Sequence, residues 1–164
     1  MTSSFSELQE KNEEKEKIDV QIKKILVPID GSNNSMRAAK YAIEVAKLQK
    51  AQILCIHVIA NLPYGYEYAG SAIEQYFEDI KNQSQSWFDQ IIKMAKDNGM
   101  KDVKTDVLMN VLSITDSIIN YASDNSIDLI VIGTKGRTGI ERFVLGSVAD
   151  GVAKHAHCPV LLVR

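Results

Sequence analysis

The sequence predicts an α/β fold in which helices cover a mostly parallel sheet. Three observations carry that expectation. Short β-branched runs alternate with segments of helical period from about residue 21 onward. The runs at 25–29, 53–59 and 129–133 are apolar almost throughout, as strands are when both faces are covered. Clusters of Gly, Ser, Asn and Asp separate several of the runs from the helical segments that follow. The 164 residues, 45% of them hydrophobic, suffice for one domain with a substantial core. Right-handed crossovers are expected between its strands.

Residues 1–20 carry six acids (Glu7, Glu10, Glu13, Glu14, Glu16, Asp19) against three lysines, with only scattered Phe5, Leu8 and Ile18. Such a segment buries too little apolar surface to order itself, so a charged flexible tail is expected ahead of a domain over 21–164. Pro28 lacks an N–H and belongs at the end of the first strand or at an irregularity. The turn and cap residues at 30–35 then open a helix to about residue 50, with Ala38, Ala42, Val45 and Ala46 on its inner face. A second strand at 53–59 leads into a loop bearing Tyr64, Tyr66 and Tyr68.

A long helix follows to about residue 98, with Ile73, Phe77, Ile80, Ser84, Trp87, Phe88, Ile91 and Ala95 at helical spacing and Gly99 as its stop. Residues 103–109 alternate and read as a weaker strand nearer an edge. Ile114, Ile118, Tyr121 and Ala122 mark a third helix. Beyond the strand at 129–133 come a glycine-punctuated loop, a helix over 147–155, and a closing strand at 160–163 that Pro159 suits to a sheet edge.

Several function classes are disfavoured. The net charge of −2 offers no electrostatic case for nucleic acid or an anionic membrane. No apolar run approaches the roughly 18 residues that span a bilayer, and the polar N-terminus lacks the apolar core of a secretory signal. Cys55 and Cys158 both fall in apolar, strand-like runs and are expected as buried reduced thiols, which suits the cytoplasm. His155, His157 and Cys158 stand close together, but no further cysteine or histidine nearby completes a metal site.

The stretch that carries chemistry is Gly133–Thr134–Lys135–Gly136, nine residues, then Gly146–Ser147. Gly133 ends an apolar strand. Gly136 and Gly139 keep the loop free of Cβ atoms, so main-chain N–H groups approach a ligand closely. Gly146–Ser147 opens a helix whose first N–H groups are unpaired and whose dipole favours an anion. Strand, loop and helix start together make a phosphate site. Each part also has an architectural reading: Gly133 as a strand end, Gly146 as a turn, Ser147 with Asp150 as a capping box. Asp30, at the carboxyl end of the first strand, faces the crevice where ligands of open α/β sheets bind, or else caps the first helix with Ser32.

These residues resemble the universal stress protein family of the nucleotide-binding kind. Asp30–Gly31–Ser32 with Ser35, Ala38, Tyr41 and Ala42 is similar to that family's opening signature. Gly133-x-x-Gly136-x9-Gly146–Ser147 matches its ATP-binding pattern, and Cys158–Pro159–Val160 resembles its closing strand. The likeness covers 22–164. It implies a Rossmann-like, five-stranded parallel sheet of order 3-2-1-4-5 with helices on both faces. A cytoplasmic homodimer paired through Val160, Leu161, Leu162 and Val163 is implied as well, together with ATP, AMP or another adenine nucleotide, carried with Mg²⁺.

By position, Pro28, Ile29 and Asp30 would line the adenosine, with Asp30 toward ribose or metal, and Val58 would meet adenine through its backbone. Ile132, Gly133, Gly136 and Arg137 would flank ribose and phosphates, while Gly146, Ser147 and Val148 would hold the phosphates. Two positions depart from the pattern: Ala149 replaces a hydroxyl residue found in some members, and Asn110, after the third strand, replaces a usual glycine.

The expected function is that of a nucleotide-binding stress regulator. A slow ATPase is the alternative, since no lysine follows the glycine loop in Walker fashion and no base beyond Asp30 is evident. An interaction scaffold without nucleotide conflicts with the intact glycine pattern. A phosphate-accepting response regulator would need an acidic cluster after the first strand and an aspartate ending the third, where Met109–Asn110 stand.

Overall fold

In a computed structural model of the protein, residues 21–60, 70–135 and 145–164 are described. The apolar runs become β1 (Lys24–Pro28), β2 (Gln52–Ala60), β3 (Val103–Val111), β4 (Leu129–Gly133) and β5 (Val160–Val163). They form one parallel sheet of order β3-β2-β1-β4-β5. Between them run α1 (Asn33–Gln49), α2 (Ser71–Asp97), α3 (Ile114–Asp124) and α4 (Ser147–His155).

The strands lack polar alternation because both faces are covered. Ile25, Val27, Ile53, Cys55 and Val131 point toward α1 and α2, where Ala38, Ala42, Ala46, Phe88 and Ile91 meet them. Leu26, Leu54, Ile56, Ile130 and Ile132 point the other way, onto Ile118 and Ala122 of α3 and Ala149 and Val152 of α4. Complete burial of each large side chain contributes roughly 1.5–3 kcal/mol, so two such layers hold the sheet between its helices. Of the predicted helical stripes, Ala38, Ala42 and Ala46 of α1, Ser84, Phe88, Ile91 and Ala95 of α2 and Ile118 and Ala122 of α3 are buried, whereas Val45, Ile73, Phe77, Ile80, Trp87, Ile114 and Tyr121 are only partly so; Ala39 and Ile43 join the inner face of α1.

Gly99 stops α2 as expected: its N–H donates to the Lys96 carbonyl and that of Met100 to the Ala95 carbonyl, closing the last turn. β3 is an edge strand and runs two residues beyond its predicted end. Its pairing with β2 passes from Val58–Leu108 to Ala60–Val111, so one extra residue of β3 is taken up in an irregularity. Asn110 therefore lies within β3 rather than after it.

Cys55 is buried in β2, but Cys158 sits in the turn between α4 and β5 and is only partly buried. The expectation of two buried strand thiols fails at Cys158 because α4 ends at His155, leaving a short turn before β5. No helix among the described residues is long and apolar enough to cross a membrane. The proposed tail at 1–20 and the loop tyrosines lie outside the described residues.

Burial without a partner for negative charge pushes the Cys55 thiol up to about 12 from an ordinary 9.0. The unfolded chain then ionises first, so this group's contribution to stability is complete below pH 9 and is lost as pH rises from 9 toward 12. Urea denaturation at pH 8 and pH 10 should show the wild type losing about 1 kcal/mol more than Cys55→Ala over that interval. Equal losses would show that the thiol ionises as readily in the fold as outside it.

Candidate functional site

β1 and β4 pair only at Ile25–Leu129 and Leu26–Ile130. Beyond that point β1 continues beside β2 as far as Pro28–Ile56, and β4 continues beside β5 as far as Gly133–Val163. The chain leaves β1 for α1 on one face and β4 for α4 on the other. The strands part, and a crevice opens at their carboxyl ends, the position where open α/β sheets take ligands.

Pro28 is suited to this place. The Ile29 N–H donates to the Ile56 carbonyl at 2.7 Å, so by strand alternation the Pro28 nitrogen faces β4, where pairing has already stopped. A residue without an N–H leaves no orphan donor there.

The cleft gathers most of the residues the motif pointed to. Pro28, Ile29 and Asp30 line one side, Val58 the adjoining strand end, and Ile132, Gly133, Gly146, Ser147 and Val148 the other. Gly136 and Arg137 lie outside the described residues, as does Gly139. Ile56, Ile114 and Ile118 supply an apolar wall. The last two read in sequence only as a helix's core face, and their spacing gave no sign that the upper turn of α3 borders a cleft. Ser35, Thr134, Lys135 and Ala149, all named in the motifs but given no ligand role, line it too, and so does His57, which nothing in the sequence assigned to the site. Asp30 is the one carboxylate and Lys135 the one lysine among the described lining residues.

The three helices that border the cleft start differently. Ser32 caps α1, its Oγ accepting from the Ser35 N–H at 3.2 Å, and Ser113 caps α3 by accepting from the Asp116 N–H at 3.2 Å. The cap of α4 is Gly146, with no side-chain hydrogen bond. The capping-box alternative for Ser147 and Asp150 is not adopted: Ser147 is already helical, and the Asp150 carboxylate pairs outward with Lys154 at 2.7 Å. Among the described residues no side chain therefore competes for the first-turn amides of α4, which are the groups an anion would use.

That helix start is carried to the strand end by two main-chain bonds. Thr134 donates to the Val163 carbonyl at 2.7 Å, and Gly146 donates to the Thr134 carbonyl at 2.8 Å. Asp30 is not the cap of α1. Its Oδ1 accepts from the Ser32 N–H at 3.0 Å, which closes a local turn at the β1–α1 corner.

Gly133 has a packing reason as well as a strand-ending one. A Cβ there would lie 2.8 Å from the carbonyl carbon of Asn34 and 2.9 Å from the Ser35 nitrogen. The first turn of α1 is thus pressed against the end of β4, across the line where β1 and β4 part.

The sequence profile of the universal stress protein family matches residues 21–164. The chain belongs to that family. It is similar to a universal stress protein of Methanocaldococcus jannaschii, with 42% identity over 142 residues, 87% of this chain and 82% of that protein. Among solved structures, the universal stress protein UspA from Lactobacillus plantarum shares the fold with a TM-score of 0.80 at 23% identity, over 88% of this chain and 99% of that one.

Two further universal stress protein structures share it less closely. One, in complex with cAMP, has a TM-score of 0.65 at 23% identity, over 88% and 98% of the two chains. The other, from Archaeoglobus fulgidus in complex with dAMP, has a TM-score of 0.61 at 21% identity, over 88% and 99%. In this universal stress protein Ala149 is 3% exposed and packs on the α3 layer, so its methyl group serves the core beside the α4 start.

Gly133→Ala should lower the unfolding free energy by about 1–3 kcal/mol, because both near contacts are backbone and α1 must shift to admit the methyl group. Urea denaturation measures this. An unchanged midpoint would mean that α1 and β4 have slack at that contact.

Proposed function

We propose that this protein binds an adenine nucleotide in the cleft between β1 and β4 and acts as a cytoplasmic, homodimeric regulator. The observation that carries the reading is the start of α4. Its amides have no side-chain cap among the described residues, and they are held at the end of β4 where β1 turns away. Amides and dipole favour a phosphate there. The apolar wall of Ile56, Ile114 and Ile118 suits the flat face of a base. Complexes of related folds with cAMP and dAMP support the choice of adenine.

Pro28, Ile29 and Asp30 would line the nucleoside, with the Val58 backbone toward the base. Ile132, Gly133, Gly136 and Arg137 would border the ribose and phosphates, and Gly146, Ser147 and Val148 would hold the phosphates. ATP with Mg²⁺ fits the donor set in one way: Asp30, the single carboxylate of the described lining, as the protein ligand, with phosphate oxygens of the nucleotide and water supplying the rest. No group of three or more potential metal-ligating side chains occurs among the described residues, so the ion would arrive with the nucleotide.

Isothermal titration with ATP, AMP and cAMP tests the reading, with one site expected per chain. The backbone of Gly146, at φ −61° and ψ 145°, lies in a region open to any residue. Gly146→Val should therefore leave the protein folded and weaken ATP binding by tenfold or more, roughly the loss of one charge-assisted hydrogen bond. Unweakened binding would remove the phosphates from α4.

The homodimer is supported by the edge of the sheet. Leu161 and Leu162 of β5 are each 38% exposed on a strand with a neighbour on one side only. Pairing with a second copy would cover a row of unpaired backbone groups. Sedimentation should give a dimer at micromolar concentration for the wild type, and a monomer when Leu161 and Leu162 are both changed to lysine. A monomeric wild type would end this part of the reading.

A further inference from the structure

His57 lies on β2, lines the cleft and is only 8% exposed. Its Nδ1 stands 2.7 Å from the carbonyl oxygen of Ile29, 28 residues away. A carbonyl only accepts, so Nδ1 carries the proton. The peptide unit joining Ile29 to Asp30 is thereby gripped at both ends, its carbonyl by His57 and its N–H by the Ser35 Oγ at 3.4 Å. One residue further on, the Asp30 carboxylate is turned onto the Ser32 N–H.

The imidazole is itself braced. Trp87 of α2 meets it edge to face, with ring centroids 5.3 Å apart and planes at 87°. The same indole lies against Gly31, where φ is 78° and a Cβ would fall 2.3 Å from Cε2. Only glycine satisfies both conditions. One aromatic column thus backs the β1–α1 corner at Ile29 and again at Gly31.

We propose that His57 is a positioning residue for the nucleotide, an inference that rests on the nucleotide reading of the cleft. By donating Nδ1–H to the Ile29 carbonyl it sets the plane of the 29–30 peptide. That plane fixes the direction from which Asp30 leaves the chain and the shape of the strand end on which the nucleoside seats. A corner ordered in advance need not be ordered at binding, so the hydrogen bond raises affinity without touching the ligand.

Two substitutions separate positioning from packing. Asparagine keeps an amide donor near the place of Nδ1 but removes more volume, whereas glutamine keeps more volume but carries its donor one bond further out. Packing alone ranks His57→Gln above His57→Asn, and positioning ranks them in the opposite order. In calorimetry with AMP and ATP on the full chain, His57→Gln should weaken binding about tenfold and His57→Asn by no more than about threefold.

Should either variant prove unfolded by circular dichroism, Ser35→Ala, which releases the other end of the same peptide while Ser32 remains the α1 cap, should weaken binding in the same direction. The inference is overturned if His57→Gln binds as tightly as His57→Asn, or if Ser35→Ala binds like the wild type. A wild type that takes up neither nucleotide overturns the nucleotide reading and this inference with it; tight wild-type binding with indifferent variants overturns this inference alone.

Discussion

The early separation of β1 from β4 is the constraint on which the rest depends. Two register pairs bind these central strands, and then each turns its last residues to its other neighbour. Because the following helices lie on opposite faces, no connection crosses the gap, and strand ends, helix starts and an apolar wall are left facing one space. Pro28 is tolerable in a central strand only because its partner has gone. Gly133 is small because α1, descending from the other side of the gap, presses its first turn there.

Around that gap the chain is held by hydrogen bonds of long sequence separation. Ile29 bonds to β2 through both its N–H and its carbonyl, the latter to His57. Thr134 bonds to β5 and returns its carbonyl to Gly146, so that the loop between them begins and ends at one point. These bonds tie one rim to β2 and the other to β5, and the Ser32 Oγ, donating to the Lys135 carbonyl at 3.4 Å, joins the two rims. Such a frame suits recognition by backbone groups, which need accurate placement more than particular side chains.

The proposed binding role asks less of the cleft than turnover would. Asp30 is its single described carboxylate, and that carboxylate is engaged with the Ser32 N–H at the corner. Phosphoryl transfer to water needs a group that orients the nucleophile as well as charge to stabilise the transferred phosphoryl. In the proposed reading, an uncapped helix start and an apolar wall would give affinity for a phosphorylated base without needing that second group.

Much of this was legible in the amino-acid order. The apolar runs at 25–29 and 129–133 announced strands buried on both faces, the stripe from Ile73 to Ala95 announced α2, and Gly99 announced its end. The spacing from Gly133 to Ser147 located a strand end and a helix start, because turn chemistry and periodicity act over a few residues and leave a local trace. Other features leave no such trace. Nothing near His57 reveals that its ring reaches Ile29, or that Trp87, on another helix, lies over Gly31. Whether Gly146 or Ser147 would begin α4, and whether Cys158 would fall in a strand or a turn, depended on where β4 and β5 pull the chain. Local order settles which segments are strands and helices, while strand order and the packing of opposite faces decide which distant residues meet, and the cleft is made almost wholly of such meetings.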